Sequence, residues 1–193
     1  MASVVDICNL ALGKLGGYRI ASIDNPQSDI EELCSLYYPI VRDLMLEKRD
    51  WTFLTKRVVL SNPVANPPAW GYGQAFAAPN DTYRIIDVRQ NDLDNQPSTF
   101  EWRYESGQIV CDASVIYVRY ITKDVATTSF SPNFLMTFAT TLASHMCIQV
   151  TENAKLRDSL INESEVLLRE ACGNDNLQGK SQKINSSNII RVR

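Results

Sequence analysis

The sequence predicts an α+β fold, a helical bundle formed by N- and C-terminal helices with an inserted small antiparallel β-sheet lobe and an extended C-terminal tail. Three observations lead to this fold class. Apolar residues recur with helical spacing near both ends, the middle alternates apolar and polar residues between turn-forming ones, and the last stretch is mostly polar. The absence of a βαβ rhythm argues against a parallel sheet.

Two helices are predicted in the N-terminal part. The first covers residues 3–16, because Ser3 can cap its start and Gly16-Gly17 can end it. The second covers residues 28–48. Its buried stripe is expected to contain Ile30, Leu33, Cys34, Tyr37, Val41 and Leu44. Pro39 lies inside that stripe and lacks a backbone N–H, so we expect a kink or a break there.

The β lobe is predicted over residues 51–122. Alternation begins in the segment Thr52–Leu60, and the segments YRIIDVRQ and FEWRYESGQIVCDASVIYVRYI continue it. Turn-forming residues divide the last segment into two or three strands. A long loop rich in proline, glycine and aromatic residues, NPVANPPAWGYGQAFAAPNDT, joins the first two strands.

Two further helices are predicted after the β lobe. The pair Ser131-Pro132 is a strong start signal, because serine caps a helix and proline suits its first turn. The third helix is therefore predicted over residues 132–150. The fourth is predicted over residues 152–172, with Gly173 as its stop.

These elements form one predicted domain over residues 1–173, and residues 174–193 are predicted to form an extended C-terminal tail. The formal net charge of the chain is −3, and it is unevenly divided. The tail holds four basic residues and one acidic residue, which gives +3 and leaves −6 for the domain. This balance argues against a strongly basic nucleic-acid-binding domain.

Cysteine spacing and hydropathy restrict the class of protein further. The five cysteines are widely spaced and form no CxxC pair, which argues against a zinc ribbon or a thioredoxin-type site. The first residues lack the pattern of a secretory signal, and no apolar run is long enough for a membrane span. We therefore expect a reducing compartment with buried thiols.

No catalytic, cofactor or metal site is predicted. His145 is the only histidine, and we expect it to be a half-buried residue of a helix. The segment NDLDNQ lacks the glycine and glutamate of a calcium loop, so we expect a polar hairpin tip. An enzyme would have to use carboxylates such as Asp81, Asp87, Glu101 or Glu105. Their spacing in the sequence does not indicate a catalytic pair.

The aromatic residues and the tail are the candidate binding features. Trp51 and Phe53 alternate, so we expect both on one side of a strand, packed in the core. The long loop offers three candidates for a partner surface, Trp70, Tyr72 and Phe76, unless the loop is pinned onto its own domain. The tail offers four more, with simple disorder as the alternative: Ile189, Ile190, Arg191 and Arg193.

Six segments together match the order of motifs in a known family. DICNLALGKLGGYRIASIDN matches a helix I-x-N-x-A-L-x-x-L-G followed by a loop I-x-S-[LI]-x-[DE], and YPIVRDLMLEKRDWTF matches Y-P-x-x-R-D-x-[LM]-L-x-x-x-x-W-x-F. WGYGQAFAAPNDTYRIIDV is similar to an aromatic loop, without its leucine. YESGQIVCD, VRYITKDV and FSPNFLMTFATTLASHMC follow. From about Val5 to Leu168 the chain resembles the phage tail tubular protein A-like family, the head-to-tail adaptors of short-tailed phages.

The resemblance implies a structural virion protein and no enzyme. Such proteins form a ring, typically of about twelve copies, that joins the portal to the tail nozzle and helps to offer attachment sites for tail fibres. DNA passes through the lumen without sequence-specific binding. The resemblance also implies assembly in the host cytoplasm, a final place in the virion neck, no membrane and no cofactor. The alternative is a small soluble protein-binding or regulatory domain without catalysis.

Overall fold

The computed structural model describes residues 2–17, 19–92 and 100–177. Over these residues four α-helices and two antiparallel sheets form an α+β fold, which confirms the predicted class. The helices are α1 Val4–Lys14, α2 Asp29–Glu47, α3 Pro132–Thr151 and α4 Ala154–Asn176. The strands are β1 Thr55–Leu60, β2 Gln74–Ala77, β3 Thr82–Arg89, β4 Trp102–Glu105, β5 Gln108–Cys111 and β6 Ile116–Thr122.

The six strands form a β lobe with a core of its own. The first sheet has the strand order β1-β6-β3, and the second has the order β2-β5-β4. Val118 of β6 pairs with Val58 on one side and Val88 on the other, so a row of valines crosses the first sheet. This row packs in one cluster with Phe76 and Ile109 of the second sheet. The other face of the first sheet therefore points away from the lobe core.

The helical body is built around α3, on which α1, α2 and α4 all pack. Most of α3 is buried, including the hydroxyl groups of Thr137, Thr140 and Thr141. Each of these hydroxyls donates to the carbonyl oxygen four residues earlier, at 2.7 to 2.8 Å. Because the hydroxyls are satisfied within the helix, α3 can be surrounded by apolar neighbours at little cost.

Two helices begin at the predicted caps, Ser3 and Ser131. The Asp6 N–H donates to Ser3 Oγ at 3.1 Å, and the Ser3 N–H donates to the Asp6 carboxylate at 2.8 Å, which completes a capping box. Ser28 caps α2 and Ser131 caps α3 in the simpler one-bond form. In the loop after α1, the Asn9 side chain exchanges two hydrogen bonds with the Ile20 backbone.

Pro39 was predicted to kink or break α2, and the break does not occur, because the helix is continuous from Asp29 to Glu47. Proline removes one hydrogen bond from the helix and crowds the preceding turn. Pro39 is itself exposed, whereas its neighbours Tyr38 and Val41 are buried against the body. Burial of these neighbours offsets the lost hydrogen bond, so tertiary packing overrides the local signal.

The helix stop predicted at Gly173 is also wrong, because α4 continues to Asn176. The first residues of the predicted tail are therefore helical, and residues 178–193 lie outside the described part of the chain. The cause of the extension is Asp175, whose buried carboxylate accepts hydrogen bonds from Thr52 N–H at 3.2 Å and Thr52 Oγ1 at 2.6 Å. This contact anchors the last turn of α4 to the body.

The strand predicted from Thr52 begins only at Thr55, because Thr52–Leu54 is a short 3-10 helix. Core packing of the two aromatic residues is nevertheless confirmed. Trp51 is almost fully buried, and its indole N–H donates to the Met45 carbonyl at 2.9 Å. Its ring centroid lies 5.8 Å from that of Phe53. The rings meet through the 3-10 turn rather than through strand alternation.

Thiol burial follows the prediction. All five cysteines are free thiols, and four are buried: Cys8, Cys34, Cys111 and Cys147. Burial raises the pKa of the Cys111 thiol, which favours its neutral form. Over the described ranges, no helix combines the length and apolar character needed to cross a membrane.

Asp81 joins the three strands of the first sheet at their ends. Its carboxylate accepts hydrogen bonds from Lys56 Nζ at 2.7 Å, from Thr122 Oγ1 at 2.8 Å and from the Tyr120 hydroxyl at 3.1 Å. The Lys56 ammonium, followed by the Thr122 hydroxyl, lowers the pKa of Asp81 to about 2. This carboxylate, a candidate for catalysis from its residue type alone, has a structural role.

Replacing Asp81 with asparagine is expected to reduce stability at neutral pH by about 1–2 kcal/mol, a value discounted for partial exposure of the pair. The folded-state pKa lies below the unfolded one, so this stabilisation is complete above pH about 4 and disappears as pH falls towards 2. Urea unfolding at several pH values measures it. Asp158→Asn, at an exposed side chain, is the control. An equal loss in both variants, or a loss from Asp81→Asn unchanged by pH, would contradict this role.

Candidate partner-binding surfaces

Asp81 and Asp87, two of the carboxylates considered for chemistry, form ion pairs within the β lobe. Within residues 2–17, 19–92 and 100–177, no three His, Cys, Asp or Glu side chains are grouped so as to hold a metal ion. His145 lies on the exposed side of α3, with its ring centroid 6.2 Å from that of Tyr37. Partial burial, and then the charge of Lys48, lower the pKa of His145. Asp87 forms an ion pair with Arg89, 2.6 Å between the carboxylate and Nε.

The loop between β1 and β2 presents Trp70 to solvent. Trp70 is 88% exposed, the highest value among the large apolar residues that the structure describes. The loop is tied to the lobe by the Val64 N–H, which donates to the Ala75 carbonyl at 2.7 Å, and by the Gly73 N–H, which donates to Asp112 Oδ1 at 2.7 Å. Trp70 is therefore an exposed aromatic residue on a loop with fixed ends.

The other two aromatic candidates of this loop are less accessible. Tyr72 is half-buried. Phe76 lies in β2 opposite Ile109 of β5 and is fully buried in the lobe core. The prediction that Phe76 belongs to a partner surface is therefore corrected, because its side chain fills the space between the two sheets. The four tail candidates, Ile189, Ile190, Arg191 and Arg193, lie outside the described residues.

A second surface runs along the outer side of α2. Leu36, Ile40 and Leu44 follow one another at intervals of four residues and are 57%, 51% and 41% exposed. We call this row the α2 ridge. Exposed acidic residues lie beside it in the same helix: Glu32, Asp43 and Glu47. The opposite side of α2 is buried in the body, so this helix is apolar on two sides.

The sequence reading missed this ridge. It assigned Leu44 to the buried stripe, whereas Met45 occupies the core and Leu44 is exposed. The sequence of α2 does contain a second row of apolar residues at intervals of four, which begins at Leu36. A helix that packs on the body through one side needs only one apolar row. The additional row in α2 therefore indicated a second contact surface.

A hollow of about 390 Å³ lies between α1 and the start of α3. Leu10 and Met136, 43% and 40% exposed, are its large apolar side chains. Lys14 and Arg19 supply positive charge at its edge, and Lys14 is paired with Glu163 at 2.6 Å. The hollow and the α2 ridge share no residue and differ in the sign of the charges beside them.

The outward face of the first sheet is rich in arginine. Arg57, Arg119 and Asp87 form one row across β1, β6 and β3. The next row contains Val59, Tyr117 and Arg89, and the two rows line an open concavity of about 280 Å³. Two acidic residues, Asp87 and Asp92, also line this concavity, and Asp87 is paired with Arg89.

Comparison with known protein families gives no matching family, and comparison with curated proteins gives no significant match.

Proposed function

We propose that this protein is a structural subunit of the phage neck. In this proposal roughly twelve copies form an adaptor ring that joins the portal to the tail nozzle, helps to attach tail fibres and surrounds the path of the ejected DNA. The subunit acts in the virion after assembly in the host cytoplasm. It uses protein contacts, without a cofactor and without catalysis.

The observation that carries this proposal is the exposed Trp70. Trp70 is 88% exposed and lies on a loop with fixed ends. It can bury a large contact area on binding while the loop loses little conformational entropy. Tryptophan is also among the residues that contribute most to protein interfaces. The resemblance of the ordered motifs to head-to-tail adaptors identifies the kind of assembly that would use such a surface.

A head-to-tail ring requires two different, complementary surfaces on each subunit. The Trp70 loop lies on the β lobe, and the Leu10–Met136 hollow lies on the helical body. These surfaces use separate elements of the fold, as a head-to-tail contact demands. We therefore place the ring contacts at these two surfaces.

The charge of the domain suits a channel through which DNA passes. A net charge of −6 over residues 1–173 favours weak contact with the phosphate backbone rather than tight binding. The arginine-rich face of the first sheet is balanced locally by Asp87 and Asp92. The proposal thus requires no sequence-specific nucleic-acid site.

The test is the mass of the complex that forms when purified portal protein is added to this protein. A ring supports the adaptor function. A monomer that persists with portal present supports the alternative, a small soluble protein-binding or regulatory domain.

A further inference from the structure

No described residue covers the α2 ridge, so three large apolar side chains in a row are exposed to water. Contiguous exposed apolar patches often mark binding surfaces. The exposed acids beside it, Glu32, Asp43 and Glu47, give it a distinctive chemistry. An occupant of this surface must bring apolar side chains and positive charge together.

The described chain ends close to the residues that follow α2. The Asp175 carboxylate at the end of α4 is bonded to Thr52, just beyond α2, and Arg49 lies 3.6 Å from the same carboxylate. Arg49 also donates a hydrogen bond to the Asn176 side chain. The segment 178–193 is therefore joined to the body at a point near the C-terminal end of α2.

The composition of residues 178–193 complements that of α2. This segment contains four basic residues and no acidic residue, so it carries +4: Lys180, Lys183, Arg191 and Arg193. α2 contains five acidic residues and one basic residue, so it carries −4. The segment also holds four apolar side chains that could cover the ridge: Ile184, Ile189, Ile190 and Val192.

The segment is long enough to reach the ridge. From Leu177 to Ile189 the extended chain spans up to about 40 Å at roughly 3.3 Å per residue. The whole of α2, at 1.5 Å per residue, is only about 28 Å long. The two concavities described above have arginine or lysine in their linings, so neither offers a basic segment the net negative charge that α2 carries.

We propose that residues 178–193 dock along the α2 ridge of the same molecule. Ile189 and Ile190 cover the apolar row, and the lysines and arginines pair with the acids beside it. Attachment to the end of α4, which lies near the C-terminal end of α2, gives the segment a high local concentration at the ridge and favours the intramolecular contact. This contact does not depend on the adaptor function, and a partner that captures the segment would uncover the ridge.

The test places a photo-crosslinking amino acid, p-benzoylphenylalanine, at position 40 of the full-length protein. The control is the same amino acid at position 166, because Ile40 and Val166 are both 51% exposed and lie on different helices. After irradiation in dilute solution, mass spectrometry of peptides identifies the crosslinked segment. The adduct at position 40 is expected to contain residues from 180–193, to keep the mass of a monomer, and to exceed that at position 166 about tenfold.

A second variant tests the chemistry of the contact. In the chain that carries the probe at position 40, Ile189→Ser with Ile190→Ser is expected to reduce the adduct about tenfold, because burial of the two side chains is lost. Folding of the body is checked by circular dichroism. Three results would overturn the proposal: no adduct with residues 180–193, equal adduct at positions 40 and 166, or an adduct with the mass of a dimer.

Discussion

Replacing Trp51 with alanine is expected to lower the free energy of unfolding by about 3–5 kcal/mol, the range found for large aromatic residues in protein cores. Trp51 is 1% exposed, and its ring meets that of Phe134 edge to face at a centroid distance of 4.9 Å. The variant also removes the donor to the Met45 carbonyl. Urea unfolding followed by circular dichroism measures the loss.

The matched control is Trp70→Ala, which removes the same side chain from a position that is 88% exposed. It is expected to change the free energy of unfolding by less than about 0.5 kcal/mol. Similar losses of stability in the two variants, or a loss of less than about 1 kcal/mol from Trp51→Ala, would contradict the described core packing of Trp51.

Trp70, which is expected to contribute little to folding stability, is expected to contribute strongly to ring assembly. Trp70→Ala should weaken ring formation by about 2 kcal/mol per contact, or roughly 30-fold in affinity, because an exposed tryptophan at the centre of an interface loses its contact area. Titration with purified portal, followed by native mass spectrometry, measures this change. The expected product is monomer at concentrations at which the unmodified protein forms rings.

Val166→Ala is the control for this experiment, because it shortens another exposed apolar side chain, on α4. It is expected to leave the titration unchanged. Normal assembly of the Trp70→Ala variant would remove the loop from the proposed interface. An equal defect in Val166→Ala would show that the assay reports general surface hydrophobicity rather than the loop.

Much of the fold could be predicted from short-range sequence patterns, because no long-range contact overrides those patterns in the segments concerned. Ser3, Ser28 and Ser131 satisfy N–H groups of their own first turns, and no distant residue is needed for these caps. Apolar spacing likewise placed the four helices and the intervening β lobe. The fold class therefore followed from short stretches of sequence.

The errors arose where distant residues decide the structure. The end of α4 depends on Asp175, which binds Thr52 from a part of the chain far away in sequence. The orientation of Phe76 depends on its pairing with β5, and composition alone placed it on a partner surface. Pro39 was predicted to kink or break α2, and the helix is nevertheless unbroken because tertiary burial holds it together.

For the candidate surfaces, the sequence left open whether Trp70 belongs to a partner surface or to a loop pinned onto its own domain, and it missed the α2 ridge. Only the structure shows that Trp70 is exposed. The ridge became visible only when burial of the opposite side of α2 was known. Leu36, Ile40 and Leu44 could otherwise belong to either side of that helix.

Native mass spectrometry of the full-length protein with purified portal tests the proposed adaptor function most directly. Spectra are compared with and without portal, because the proposed ring is expected to form on the portal. If the adaptor proposal is correct, the mass of the portal increases by about 260 kDa, which corresponds to roughly twelve copies of the 21.7 kDa chain. A protein that remains at 21.7 kDa with saturating portal would contradict the adaptor proposal.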